Sequence, residues 1–392
     1  MKHIKPLICA VILCIVVFTG CQKDANTSSL NSADKQGKSS AVNTIVLKAK
    51  LEKMLASLPA GYEKRLQENQ NRFLKQHPEY RALVQRAVVP TICDGYTPIY
   101  QWLDGQLVDW NNEVFYYASL TGMFDFPTYD AYFFENSSAN QYFGVNGEYT
   151  QKTTKAFKDL QRFWNIPSQG IVLGAMHGSM LRDREKLIRI DQIYWGDSPD
   201  VAAFWADFIL TVLDLFPQYR NGDHPIFTFN AFATDAFPFP PFGNVADKII
   251  MGDGIVDGYV GLGFGDVASQ AVLAHEFGHH VQFKLGLFIN EFTPEETRRT
   301  ELMADAYSAY YMSHAQGAAM QWKRVRQFLE AFFNIGDCAF TSPGHHGTPQ
   351  QRMAAAEWGY SVANDAQKQG HILTSQEFAA LFAAKLPTLV NP

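Results

Sequence analysis

The chain is short of charge, short of cysteine and, beyond its first twenty residues, without any long apolar run. Only 18% of its 392 residues are Asp, Glu, Lys or Arg, against 47% hydrophobic. That excludes a disordered chain, which has too little apolar surface to offset the entropy of ordering. Lys and Arg number 33 against 39 Asp and Glu, a net charge of -6, so the basic footprint of a nucleic-acid binder is missing and no such partner is expected. Five cysteines are too few for a disulfide scaffold. No segment after residue 20 approaches the roughly 20 apolar residues that span a bilayer. What is present has globular composition, and its length suggests about two domains at roughly 150 residues each.

The first residues read as an address. Lys2, His3 and Lys5 precede an apolar core from Leu7 to Phe18, the length of a signal peptide and too short for a spanning helix. Phe18-Thr19-Gly20-Cys21 resembles the lipobox of bacterial lipoproteins, which implies lipidation at Cys21; the alternative is ordinary secretory cleavage nearby. The expectation is an exported protein, lipid-anchored in the bacterial cell envelope at the outer membrane or cell surface. Of the remaining cysteines, Cys93 and Cys338 lie in the folded part, where pairing and two unpaired buried thiols are both open.

Four segments follow from composition. Residues 1–21 form the signal and lipobox. Residues 22–43 are rich in Ser, Asn, Lys and Gln and read as a flexible tether. Residues 44–215 form a helical and mixed region of no assigned role, and 216–392 the domain that carries the chemistry. Helices are expected from Leu47, over Thr153–Trp164, and from Ser198 as cap with Pro199 first. Phe115–Tyr117 and Tyr132–Phe134 read as short strands. His177 and His224 have no partner in the sequence and are expected to be structural.

The chemistry is concentrated between Gln270 and Asp305. His275-Glu276-Phe277-Gly278-His279 lies in an apolar, helix-compatible run. Residues four apart share a helix face, so both imidazoles can address one ion, with Glu276 about 100° round the helix from His275. Neutral imidazoles suit Zn2+, and a catalytic zinc takes a third protein ligand and keeps one position open. Gly286 can end this helix, and Thr293, Pro294 and Glu296 can start the next. Glu301 is then the candidate third ligand. Asp305, one turn on, is placed to accept a hydrogen bond from the second nitrogen of a zinc-bound imidazole.

These segments, together with His346-Gly347-Thr348-Pro349-Gln350-Gln351-Arg352, resemble the bacterial neutral zinc metallopeptidases of the gluzincin type over about residues 225–365. Asn230–Ala233 and Lys248–Met251 are similar to the strand pair that precedes the active helix in related peptidases. The resemblance implies an α+β, zincin-like core with a small sheet, an active-site helix and a helical C-terminal part. It implies one zinc per chain held by His275, His279 and Glu301, with Glu276 as general base and Asp305 in support. Where the family often has Cys after Ala-Asp, this chain has Ala306.

His346 precedes a helix that Thr348 and Gln351 can cap, and it is the candidate donor to the oxyanion of peptide hydrolysis, with His345 as competitor. Arg352 is expected to anchor this loop. Asp247–Asp253 is expected to be a rim strand whose free edge pairs with an extended substrate. The expected function is a zinc metalloendopeptidase of the envelope acting on peptides or proteins. The alternative is an envelope-binding lipoprotein whose zinc site is structural or inactive.

Overall fold

Short polar caps and prolines decide where the helices begin. The computed structural model describes residues 33–76, 98–240, 243–288, 293–333 and 347–390. Its helices are α1 (Ala33–Ala56), α2 (Tyr62–Gln76), α3 (Pro98–Gln106), α4 (Asn112–Thr121), α5 (Phe126–Phe134), α6 (Thr150–Phe163), α7 (Arg184–Tyr194) and α8 (Pro199–Leu215). The set continues with α9 (Asp253–Gly261), α10 (Ala268–Leu285), α11 (Pro294–Ser313), α12 (Trp322–Phe333), α13 (Pro349–Lys368) and α14 (Ser375–Leu389). Strands are β1 (Val172–Met176), β2 (Ala231–Thr234), β3 (Phe237–Pro238), β4 (Asn244–Val245) and β5 (Lys248–Gly252). The described chain is therefore mostly helical with a small mixed sheet, an α+β arrangement. None of its described helices is long and apolar enough to cross a membrane.

Ser198 caps α8 with Pro199 first, Thr293 caps α11 with Pro294 first, and Thr348 and Gln351 form a complete capping box on α13. Each satisfies amides that the first helical turn leaves unpaired. Gly286 ends α10 in the left-handed conformation, which costs a glycine nothing.

The aromatic runs expected as strands are helical. Phe115–Tyr117 lies in α4, where the buried positions Val114, Tyr117, Ala118 and Thr121 follow the helical period, and Asn111 caps the start. Tyr132–Phe134 closes α5, which has Pro127 in its first turn and buries Phe126, Pro127, Asp130 and Ala131. A helical burial stripe outweighs β-propensity in so short a run. α1 begins at Ala33, inside the stretch 22–43 expected as a tether, whose residues 22–32 lie outside the described residues.

In the main sheet the strand order is β1-β5-β2, with β1 parallel and β2 antiparallel to β5. The pair expected before the active helix is thus β2 with β5. The expected rim at 247–253 is corrected: β5 is the central strand, buried throughout and paired on both sides. The outer edge of β1 is capped by side chains, since Ser138 Oγ accepts from Leu173 N at 2.9 Å and Gln141 Oε1 from Ala175 N at 2.9 Å. Among the described residues, the edge left open belongs to β2. β1 comes from before residue 215 and β5 from after it, and Leu47–Pro392 forms one unit. The parallel pairing requires a crossover, which α7 and α8 provide.

Two glycines let the site helices approach closely. A Cβ on Gly278 of α10 would lie 3.0 Å from Ala304 Cα of α11, and one on Gly359 of α13 would lie 2.4 Å from the Ala306 carbonyl oxygen. Backbones this close set the side chains of α10, α11 and α13 around one point.

Candidate metal centre

His275 and His279 stand one turn apart on α10, with ring centroids 4.9 Å apart and planes at 89°. Glu301 reaches them from the second turn of α11. Its Oε2 is 3.3 Å from His275 Nε2 and its Oε1 is 3.4 Å from His279 Nε2. One ligand atom from each of the three lies within 4.8 Å of the others, the only such group of three or more among the described residues. The three residues expected to bind metal are therefore brought together.

Asp305, one turn beyond Glu301 and fully buried, places Oδ1 2.9 Å from His275 Nδ1. Its two oxygens also accept from Arg352 Nε at 2.8 Å and Nη2 at 2.7 Å, a bidentate pair of the strong kind. Arg352 Nη2 is 4.0 Å from Glu301 Oε2 as well. The chain of contacts runs Arg352, Asp305, His275, Glu301, His279, across three helices. Burial would lower the Arg352 pKa, but the charges of Asp305 and Glu301 outweigh it and raise it, so the guanidinium stays charged.

The electrostatics favour a cation. Burial pulls the His275 pKa down, yet the hydrogen bonds and charges of Asp305 and Glu301 reverse this and lift it to about 10. Two carboxylates facing one buried ring stabilise positive charge there, as a proton or as an ion held between the three donors. Both Nε2 atoms turn to Glu301, while His279 Nδ1 is buried without a hydrogen-bond partner among the described residues. The orientation of that ring is thus set by what lies at Nε2, as in a ligand. The donor set fits a metal ion.

Glu276 is 7% exposed. Burial raises its pKa, with the charges of His275 and His279 pulling the other way, which poises it for proton exchange nearer neutral pH than an ordinary glutamate.

Sequence reasoning missed three supports. The expected loop anchor Arg352 partners Asp305, while the loop before Gly347 lies outside the described residues; the signal was a lone arginine on the small-residue face of α13 with Ala355, Ala356 and Gly359. His280 was not singled out. Its Nε2 pairs with the Lys248 carbonyl at 2.9 Å, tying α10 to β5, and burial holds its pKa down at about 4, so the ring is neutral. Gln282 Nε2 donates to the Thr300 carbonyl at 2.8 Å and fastens α10 to α11. His345, His346, Cys21, Cys93 and Cys338 lie outside the described residues. Gly347, just after the expected oxyanion donor, sits against α11, where a Cβ on it would lie 3.3 Å from Leu302.

Compared with protein-family models, with curated proteins and with solved structures, the chain finds no match in any of the three.

Proposed function

We propose that the protein is a zinc-dependent metalloendopeptidase of the bacterial cell envelope, tethered by lipid at Cys21. The observation that carries this is the convergence of His275 Nε2, His279 Nε2 and the Glu301 carboxylate beside a buried Glu276. Two imidazoles and one carboxylate form the ligand set of catalytic zinc, and three protein ligands leave a position open. When bound, zinc supplies Lewis acidity, lowering the pKa of water and polarising a carbonyl. The remaining steps belong to the chain. Glu276 accepts a proton from the attacking water and returns it to the departing amine, a carboxyl role that its raised pKa serves. Asp305, held by Arg352, keeps the hydrogen on His275 Nδ1 so that Nε2 offers its lone pair. His346 is the proposed donor to the oxyanion, with His345 the competitor.

An extended substrate would pair with the open edge of β2, which lies against α10; main-chain hydrogen bonds then supply affinity and side-chain pockets selectivity. Elemental analysis of purified wild type should give about one zinc per chain, and the Glu301→Ala variant should lose most of it. Casein hydrolysis should follow the metal. A folded wild type that takes up no zinc on supplementation would overturn the proposal. Zinc without hydrolysis would favour the envelope-binding reading.

A further inference from the structure

Arginines in this molecule are set against acids. Arg65 pairs with Asp191 and, at 2.6 Å, with Asp197. Arg182, Arg189 and Arg324 take Asp214, Asp130 and Asp266 at 2.7, 3.0 and 2.6 Å, and Arg352 takes Asp305. Arg298 of α11 differs. It is half-buried, its Nε is buried without a hydrogen-bond partner, and among the described residues no carboxylate pairs with it. The acids three residues to either side are engaged elsewhere or turned to solvent: Glu301 meets the two imidazoles and Arg352, and Glu295 is exposed. The next residue, Arg299, is by contrast held by Glu296, Nε to Oε2 at 2.9 Å, and donates to the Leu287 carbonyl.

The place of Arg298 on its helix is that of the metal centre. At about 100° per residue it falls within about 20° of Asp305 and about 60° of Glu301 around the axis of α11. That direction lies between the side of α11 that meets α10 at Ala304 and the side that meets α13 at Ala306. Helical side chains lean toward the N-terminus, so the guanidinium extends beyond Glu301, away from Arg352. Its stem runs against the start of α13, where a Cβ on Gly347 would lie 3.4 Å from Arg298 Cγ. A guanidinium presents N–H donors in a planar fork that matches a carboxylate. Holding it half-buried without an acid costs stability, and a bound carboxylate would restore it.

We propose that Arg298 binds a carboxylate of the substrate next to the scissile bond, either an aspartate or glutamate side chain or the C-terminal carboxylate. The inference rests on the peptidase reading of the cleft. The test is calorimetric titration of the zinc-supplemented, full-chain Glu276→Gln variant, which should bind peptide without cleaving it. One alanine-rich peptide is used in three forms: blocked at both ends, blocked with a central glutamate, and with a free C-terminus. A carboxylate-bearing form should bind at least about tenfold tighter than the blocked neutral form. A stronger glutamate form assigns an acidic side chain as the ligand, a stronger free form the C-terminus. Adding Arg298→Gln should cut the advantage to less than about twofold, while Arg298→Lys should keep it in part because the charge remains. Arg298→Glu should turn the preference to a blocked peptide with a central lysine, which a purely structural arginine would not give. Equal binding of all three forms, or an advantage that survives Arg298→Gln, would overturn the inference and leave the zinc site and hydrolysis standing. Absence of zinc, or no binding of any peptide, would overturn it together with the peptidase reading.

Discussion

Two Asp–His pairs in this molecule look alike and stand in opposite surroundings. His275 faces Asp305 through Nδ1 at 2.9 Å, and His177 faces Asp253 through Nδ1 at 2.7 Å. In both, a buried carboxylate sets the tautomer and leaves Nε2 its lone pair. Around His275, Nε2 meets a second imidazole and Glu301, and Arg352 compensates Asp305. Around His177, Asp130 is held by Lys186 and Arg189, and the ring borders a cavity. The pair itself specifies neither metal nor ligand. What decides is whether further donors converge on the same point, as they do at His275, His279 and Glu301.

The sharpest way to break the comparison is at Glu276, the buried acid beside the metal centre. Glu276→Gln should lower peptide hydrolysis by about a hundredfold to ten-thousandfold while zinc content stays near one per chain; unchanged turnover would remove the assigned base. Next is the cation bound directly to the carboxylate of the pair, Arg352 on Asp305. Arg352→Met leaves Asp305 buried without its main partner, at a cost of about 3–5 kcal/mol in urea unfolding. Zinc affinity measured against a chelator should drop by about 10- to 100-fold. Wild-type affinity in that variant would mean that Asp305 orients His275 unaided.

A smaller effect probes the other region. Burial lifts the Asp257 pKa to about 6, aided by the charge of Asp253 and opposed by a hydrogen bond from Tyr149. An acid raised in the folded state contributes fully below its unfolded pKa of about 3.9 and loses that contribution as the pH rises through about 6. Asp257→Asn should therefore change little at pH 4 and stabilise at pH 8. Partial exposure limits the gain to about 1–2 kcal/mol. Destabilisation at pH 8 would show that this charge is compensated after all. The smallest change is Thr348→Ala, which removes the cap of the helix that carries Arg352. It should cost about 1 kcal/mol in thermal unfolding. A loss as large as that of Arg352→Met would show that the helix start, and not the ion pair, holds the centre.

The metal centre was largely legible because its residues sit at helical intervals. His275 and His279 are one turn apart, Glu301 and Asp305 likewise, and the caps at Thr293 and Thr348 mark where their helices start. The His177–Asp253 pair was not legible. His177 and Asp253 meet only because β1 pairs in parallel with β5 across a two-helix crossover, and a lone histidine after a five-residue strand carries no signal of that. The same pairing buries β5, which read as a rim strand when its partners were unknown. Tyr117 and Tyr132 read as strand residues because β-propensity is local, whereas the burial stripe that made them helical depends on neighbours.

The sequence by itself determined what repeats within a few residues: the spacing of ligands on α10 and α11, the helix starts and the small residues that let backbones meet. Hydrogen-bonding geometry and steric fit act over one or two turns, so those features are written in the local order of side chains. Tertiary structure alone decided which distant charges met, Arg352 with Asp305 and His177 with Asp253, and which strand edge stayed open. Coulomb and hydrogen-bond energies depend on distance in space, and that distance exists only after the chain has folded.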